Sequence, residues 1–127
     1  MHILLVDDNT SIRASLSCVL AQLGHTFEVA NNGLAALEKA KAACFDLYII
    51  DHLMPVMNGI KLVKNLKSKV FTSNTPIIFM TTQDVSIFDN SEELPLFDTL
   101  IAKPINEDLF IEKVNNHLFN KSIVHSL

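Results

Sequence analysis

The stretch "DLYIIDHLMP", residues 46–55, decides how the rest of the chain is interpreted. Its apolar run over residues 47–50 has the length and the partly β-branched composition of a buried strand. The run ends in Asp51, and Pro55 then forbids any continuation of a strand ladder. A strand of buried type therefore delivers a carboxylate to its own tip.

The N-terminal stretch repeats this arrangement, because the apolar run "ILLV" at residues 3–6 leads directly into Asp7 and Asp8. Acids at such positions often only cap the helix that follows, since they favour its dipole and accept from its free amides. Taken alone, each set of acids is therefore open to two interpretations, local capping or a functional site.

Composition limits the class of protein. The 127 residues are 49% hydrophobic and 19% charged, which predicts one folded domain, placed at residues 1–120, and a short C-terminal tail at 121–127. The formal net charge of -4 argues against nucleic-acid binding, which needs a basic face.

No apolar run approaches the roughly 20 residues of a membrane span, and no leader pattern precedes the first strand. We therefore expect a cytoplasmic protein without membrane contact, in which Cys18 and Cys44 are small buried side chains.

Strand-like and helix-like segments alternate along the chain. The patterns predict strands at 2–6, 26–30, 46–51, 76–80 and 99–102, and helices at 10–23, 33–43, 58–68, 84–94 and 106–119. Short-looped β–α units of this kind predict an α/β fold with a parallel sheet covered on both faces, and they are too few to close a barrel. We expect a doubly wound, five-stranded parallel sheet in the order 2-1-3-4-5.

The expected strand order reverses between the first and third strands, and such sheets bind ligands at the carboxyl ends beside the reversal. Asp7, Asp8 and Asp51 follow those two strands. At ~4 Å and an effective dielectric of about 20, each like-charged pair costs on the order of 4 kcal/mol, so a proton is retained or a cation is bound. Oxygen ligands with room for water and phosphate suit Mg²⁺, and a carboxylate beside Mg²⁺ can attack phosphorus.

Phosphoryl chemistry also needs a fixed positive charge and a hydroxyl or amide donor. The run "PIIFM" at residues 76–80 leads into Thr81, and the predicted fifth strand leads into Lys103. Taken alone, Thr81 is best interpreted as a helix cap and Lys103 as a solvated surface group. Together, four of the five predicted strand tips supply the groups that one reaction needs.

In this combination the chain resembles the receiver domains of two-component response regulators over nearly its full length. The resemblance is carried by the acid pair at 7–8, "DHLMPVMNG" at 51–59, "PIIFMT" at 76–81 and "AKP" at 102–104. These motifs come in family order and at close to family spacing. The resemblance implies a flavodoxin-like three-layer sandwich.

The resemblance also implies a metal site. Asp7 and Asp8 would hold Mg²⁺ together with Asp51 and the backbone carbonyl of Leu53. These positions are the family's ligand positions carried onto this chain.

Phosphoryl handling is implied in the same way. Asp51 would be the phosphoacceptor, Thr81 would hydrogen-bond the phosphoryl group, and Lys103 would pair with it. In the family, a cis peptide bond joins this lysine to the following proline, here Pro104.

Several positions depart from the family pattern. Leu100 stands where the family usually has Phe or Tyr as a rotamer switch, and Thr82 stands where it has a small residue. Pro95 and the polar run 89–91 disfavour the helix predicted at 84–94. Whether the segment 84–99 preserves the usual conformational switch is left open.

Two groups of side chains have uncertain roles in the sequence. The apolar residues of the atypical segment, Phe88, Leu96 and Phe97, are interpreted as a partner surface in an acidic setting. The alternative is that Phe88 and Leu96 only cover the core. The five histidines have no ligand spacing, and all five are interpreted as structural or surface residues. His52 in particular is expected to point away from Asp51, since side chains alternate in an extended segment.

The functional prediction is a stand-alone signalling module and not an enzyme acting on other substrates. A sensor histidine kinase or a histidine phosphotransfer protein would supply the phosphoryl group, and an unidentified downstream protein would receive the signal. The first alternative is a phosphorylation-independent docking module. The second is a Mg²⁺-dependent aspartyl phosphohydrolase, which Leu53 disfavours because such enzymes carry a general acid at that position.

Overall fold

A computed structural model describes the backbone of residues 1–126 and the side chains of residues 1–118. Five parallel strands form one sheet in the order β2-β1-β3-β4-β5. The strands are β1 (His2–Val6), β2 (Thr26–Ala30), β3 (Leu47–Asp51), β4 (Ile77–Thr81) and β5 (Thr99–Ala102). The predicted fold class and strand order are confirmed, and the reversal lies between β1 and β3.

Four α-helices connect and follow these strands: α1 (Thr10–Gln22), α2 (Gly33–Ala42), α3 (Gly59–Lys67) and α4 (Glu107–Ser126). The first three begin in the same way, because Asn9, Asn32 and Asn58 each accept an amide hydrogen bond from the residue three positions later. Such caps are each worth about 1 kcal/mol, so the loops after β1, β2 and β3 end at defined residues.

The helices cover both faces of the sheet, and the alternation of side chains along the strands builds a separate core on each face. One core packs the even-numbered positions of β1 and β3 with residues of α2 and α3, including Leu4, Val6, Tyr48, Ile50, Leu62 and Leu66. The other packs the odd-numbered positions with residues of α1 and α4, including Ile3, Leu5, Leu47, Ile49, Leu20 and Phe110. The sheet is therefore the middle of three layers.

The prediction of a helix at residues 84–94 is wrong. Two short 3-10 helices, Val85–Phe88 and Leu94–Leu96, occupy this segment. Between them the Ser91 hydroxyl donates to the carbonyl of Phe88 and accepts from the amide of Leu94. A serine side chain thus replaces helical backbone bonds, and the proline at the start of the second turn cannot supply one.

The interpretation of this segment as an aromatic partner surface is wrong for Phe88, which is buried. Its ring lies edge-on to those of Phe79 and Phe97, and Phe97 stacks on Phe79 with ring centroids 4.1 Å apart. Phe88 is part of the core and Leu96 packs against it, as the alternative interpretation had it.

Two smaller expectations also differ from the structure. Cys18 and Cys44 are both exposed free thiols and not small buried side chains. The last helix was predicted at 106–119 but continues to Ser126, so most of the segment expected as a tail is helical. The domain boundary at residue 120 stays a prediction, since side chains from 119 onward and all of residue 127 lie outside the described residues. In the described part of the chain, no helix is long and apolar enough to cross a bilayer.

The turn after β3 contains a strained residue. Val56 has a φ of 68°, and the amide of Met57 donates to the carbonyl of Pro55 across it. A β-branched side chain is rarely found in this left-handed region because its Cβ crowds the backbone. The chain then returns to the end of β3, where the amide of Gly59, the first residue of α3, donates to the carbonyl of His52.

We expect Val56→Gly to raise the free energy of unfolding by about 1 kcal/mol, because glycine adopts positive φ without the Cβ penalty. Urea unfolding measures the change. Val70→Gly is the matched control, since Val70 is also highly exposed but is not a positive-φ residue. The control should leave stability unchanged or lower it. Equal destabilisation by both substitutions would contradict strain at residue 56.

Candidate functional site

Three acids meet at the carboxyl end of the sheet. Asp7 and Asp8 follow β1, Asp51 ends β3, and one carboxylate oxygen of each lies within 4.8 Å of the others. Asp7 and Asp51 are buried, whereas Asp8 is exposed. The strand order explains the meeting, because β1 and β3 are neighbours on either side of the topological reversal.

Lys103 joins two of these acids. Its ammonium nitrogen lies 2.7 Å from Asp7 Oδ2 and 2.9 Å from Asp51 Oδ1, and its side chain is only 7% exposed. The backbone amide of Lys103 donates to the carbonyl of Thr81, which fixes the end of β5 beside β4. The peptide bond from Lys103 to Pro104 is cis, as the resemblance implied. The lysine is therefore part of the site and not a surface group.

Asp7 is held by further hydrogen bonds from the loop and helix that follow it. One carboxylate oxygen accepts from the amide of Asn9, and the backbone carbonyl of Asp7 accepts from the guanidinium of Arg13. The position of this buried carboxylate is therefore set by the start of α1 on one side and by Lys103 on the other.

The Asp51 carboxyl has a pKa raised from 3.8 to about 6. The main cause is burial, and the hydrogen bond from Lys103 opposes it; the charges of Asp7 and Asp8 add to the rise. The pKa of Lys103 is also raised: burial lowers it, but the hydrogen bonds to Asp7 and Asp51 outweigh that effect. The site thus holds more negative charge than one ammonium balances.

These residues fit a divalent cation. The three acids and one ammonium leave about two negative charges in a cluster whose donors are all oxygen. The cluster opens into a cavity of about 530 Å³, which leaves room for water and a phosphoryl group. Leu53 lines this cavity, and its carbonyl as a fourth ligand stays a prediction.

Thr81 lies at the tip of β4, fully buried, as the sequence placed it. Its hydroxyl bonds to groups outside the acid cluster, however. Oγ1 lies 2.9 Å from His52 Nδ1 and accepts from the Gln83 amide at 3.1 Å. Among the described hydrogen bonds, none joins Thr81 to the acid cluster.

The sequence did not predict that His52 contacts Thr81. The His52 ring packs against Phe79 and Phe88, with centroids 5.4 Å away in each case, and burial lowers the pKa of the imidazole below its usual value. The available signal was register: β3 and β4 are adjacent, and Asp51 pairs with Met80, so the following residues, His52 and Thr81, also lie side by side.

The fold and the acidic pocket define a class of protein, the α/β domains that carry a cluster of carboxylates at the switch point of a parallel sheet. Comparison with known proteins gives the family. The family model "Response regulator receiver domain" matches residues 3–115, and the chain belongs to that family.

The chain is similar to the Transcriptional regulatory protein ZraR of Klebsiella oxytoca, at 40% identity over 81 residues, 64% of this chain and 18% of that protein. Among solved structures it is similar to the chemotaxis protein CheY4 of Vibrio cholerae, with 34% identity, a TM-score of 0.81, and 91% and 96% of the two chains covered. The response regulator TrrA of Thermotoga maritima, solved in complex with Mg²⁺-BeF, gives 30% identity, a TM-score of 0.81, and coverage of 91% and 97%. The matched region is less than a fifth of ZraR.

Asp51→Asn tests the burial of the acid through stability. Between about pH 4 and pH 6 the folded protein keeps a proton on Asp51 that the unfolded chain has lost, so the free energy of unfolding falls as pH rises. The variant lacks this titration. Its stability relative to wild type should therefore increase from pH 4 to pH 6 and stay constant above.

Urea unfolding at a series of pH values, without divalent cations, measures this difference. Asp89→Asn, at an exposed acid, is the matched control and should show little change relative to wild type. A difference between Asp51→Asn and wild type that does not vary with pH would contradict the raised pKa.

Proposed function

We propose that this receiver domain accepts a phosphoryl group on Asp51 from a phosphohistidine of a sensor histidine kinase or a histidine phosphotransfer protein. The observation that carries the proposal is the buried Asp51 carboxylate, held 2.9 Å from the Lys103 ammonium inside the three-acid cluster. A single nucleophilic oxygen, a fixed cation and a metal-binding set of oxygens are the parts that phosphoryl transfer requires.

The transfer is a displacement at phosphorus. An Asp51 carboxylate oxygen forms a bond to the phosphorus atom while the phosphorus–nitrogen bond of the phosphohistidine breaks and the imidazole leaves. The product is an acyl phosphate. Later, water attacks the same phosphorus, the bond to the Asp51 oxygen breaks, and inorganic phosphate is released.

The cluster's residues have separate tasks in this chemistry. Lys103 supplies a fixed positive charge for a phosphoryl oxygen, and burial of the site strengthens that interaction. Asp7 and Asp8 would hold Mg²⁺ together with Asp51 and the Leu53 carbonyl. The bound cation would neutralise the charge that builds up on the phosphoryl oxygens. Thr81 would turn its hydroxyl toward the phosphoryl group once that group is present.

Output would take place through protein–protein contact, since a formal net charge of -4 disfavours binding to nucleic acid. Substrate turnover by the domain itself is not proposed, because an aspartyl phosphohydrolase needs a general acid where this chain has Leu53. The remaining alternative is a docking module that works without phosphorylation. It differs from the proposal in one measurable respect, the capacity of Asp51 to be phosphorylated.

Incubation with Mg²⁺ and a small acyl-phosphate or phosphoramidate donor should add one phosphoryl group to the protein, detected by intact mass spectrometry. Asp51→Asn should abolish the gain, and Asp89→Asn should retain it. Stable protein that gains no mass under these conditions would support the docking module instead. Absent hydrolysis of phosphomonoesters in the same sample would exclude the phosphohydrolase.

Mg²⁺ binding is expected to depend on the exposed member of the cluster. Asp8→Asn removes one of three carboxylates and should weaken Mg²⁺ affinity by about tenfold or more, because a hard cation is held mainly by ligand charge. Isothermal titration calorimetry gives the affinities, with Asp89→Asn as the control at an exposed acid outside the cluster. Equal affinity in wild type and Asp8→Asn would remove residue 8 from the site.

A further inference from the structure

His52 lies between the acid cluster and the aromatic rings that underlie the segment 84–97. Its backbone follows Asp51 directly, and its side chain makes the hydrogen bond to Thr81 Oγ1. On its other side the ring contacts Phe79 and Phe88. One side chain thus touches both the hydroxyl assigned to the phosphoryl group and the segment with the unusual conformation.

Both described hydrogen bonds of the Thr81 hydroxyl are to groups outside the acid cluster. Its oxygen already accepts from the Gln83 amide, and the hydroxyl makes one further hydrogen bond, to His52 Nδ1. The neutral imidazole can make this bond in either tautomer, because a hydroxyl both donates and accepts. Rotation of Thr81 toward Asp51 would break the bond and leave a half-buried ring nitrogen without it.

We propose that His52 is a positioning residue for Thr81. Its Nδ1 holds the threonine hydroxyl turned away from Asp51 in the unphosphorylated protein, and loss of this bond on phosphorylation frees the ring to move against Phe88. This inference rests on the proposed function, since it concerns when the hydroxyl becomes available to the phosphoryl group.

Through Phe88, a movement of the His52 ring can reach exposed residues of the segment 84–97. Phe88 ends the first 3-10 helix, and the same short helix exposes Val85 and Ile87. Leu100, which cannot form a hydrogen bond with its side chain, packs against the same core. In the described part of the chain, His52 is therefore the polar side chain that connects Thr81 to the segment 84–97.

Two substitutions separate positioning from simple packing. His52→Phe keeps an aromatic ring against Phe79 and Phe88 but cannot hydrogen-bond Thr81. His52→Asn loses the ring but places an amide where Nδ1 lies, so it can restore the bond. A packing role predicts that Phe resembles wild type and Asn does not, and a positioning role predicts the reverse.

The first measurement is the rate of phosphoryl gain from a small donor with Mg²⁺. His52→Phe should react about fivefold faster than wild type, the population change expected from the loss of one ordinary hydrogen bond, and His52→Asn should react at the wild-type rate. In a Thr81→Val background, which lacks the hydroxyl, His52→Phe should have no effect. A fast Asn variant, a wild-type rate for Phe, or an undiminished Phe effect in the Thr81→Val background would overturn the proposal.

The second measurement needs no phosphorylation. Three-bond NMR couplings report the χ1 rotamer of Thr81, which should be single in wild type and His52→Asn but averaged in His52→Phe. A single rotamer in all three would overturn the proposal. If wild type gains no phosphoryl group, the proposed function fails while this rotamer comparison still decides whether His52 positions Thr81.

Discussion

The ion pair between the Lys103 ammonium and the carboxylates of Asp7 and Asp51 is the interaction on which the site depends. Each of the three groups is almost completely removed from water, and a buried charge without a partner costs several kcal/mol. Removal of the lysine would leave adjacent buried acids that repel each other. The ammonium therefore allows the fold to hold the acids close together before any divalent cation binds.

This pair does not satisfy the site's charge completely. The acids outnumber the ammonium, and burial raises the pKa of Asp51 to about 6. Such a site is less stable on its own than a balanced one, and it gains stability from any ligand that supplies positive charge. The proposed affinity for Mg²⁺ and the proposed reactivity toward phosphorus would thus have the same physical origin, a carboxylate kept in surroundings that disfavour its charge.

The segment between β4 and β5 is held in place by a different kind of interaction. Its polar run and proline prevent a regular helix, and two 3-10 turns with buried aromatic rings take its place. Phe79, Phe88 and Phe97 pack ring against ring, so the segment is attached to the core by aromatic contacts and not by a helical stripe. His52 extends this cluster to Thr81, which gives the segment a direct connection to the tip of β4.

The sequence by itself determined the sheet and the convergence of Asp7, Asp8 and Asp51, because these follow from local periodicity and from rules for parallel β–α units. The place of Lys103 beside these acids was implied by the family resemblance. The sequence did not determine the rotamer of Thr81, the burial of Phe88 or the exposure of the cysteines. Those depend on neighbours far along the chain, such as His52, which is 29 residues from its partner. Periodicity states which face a residue occupies, whereas only the packed structure decides which of several partners on that face a side chain takes.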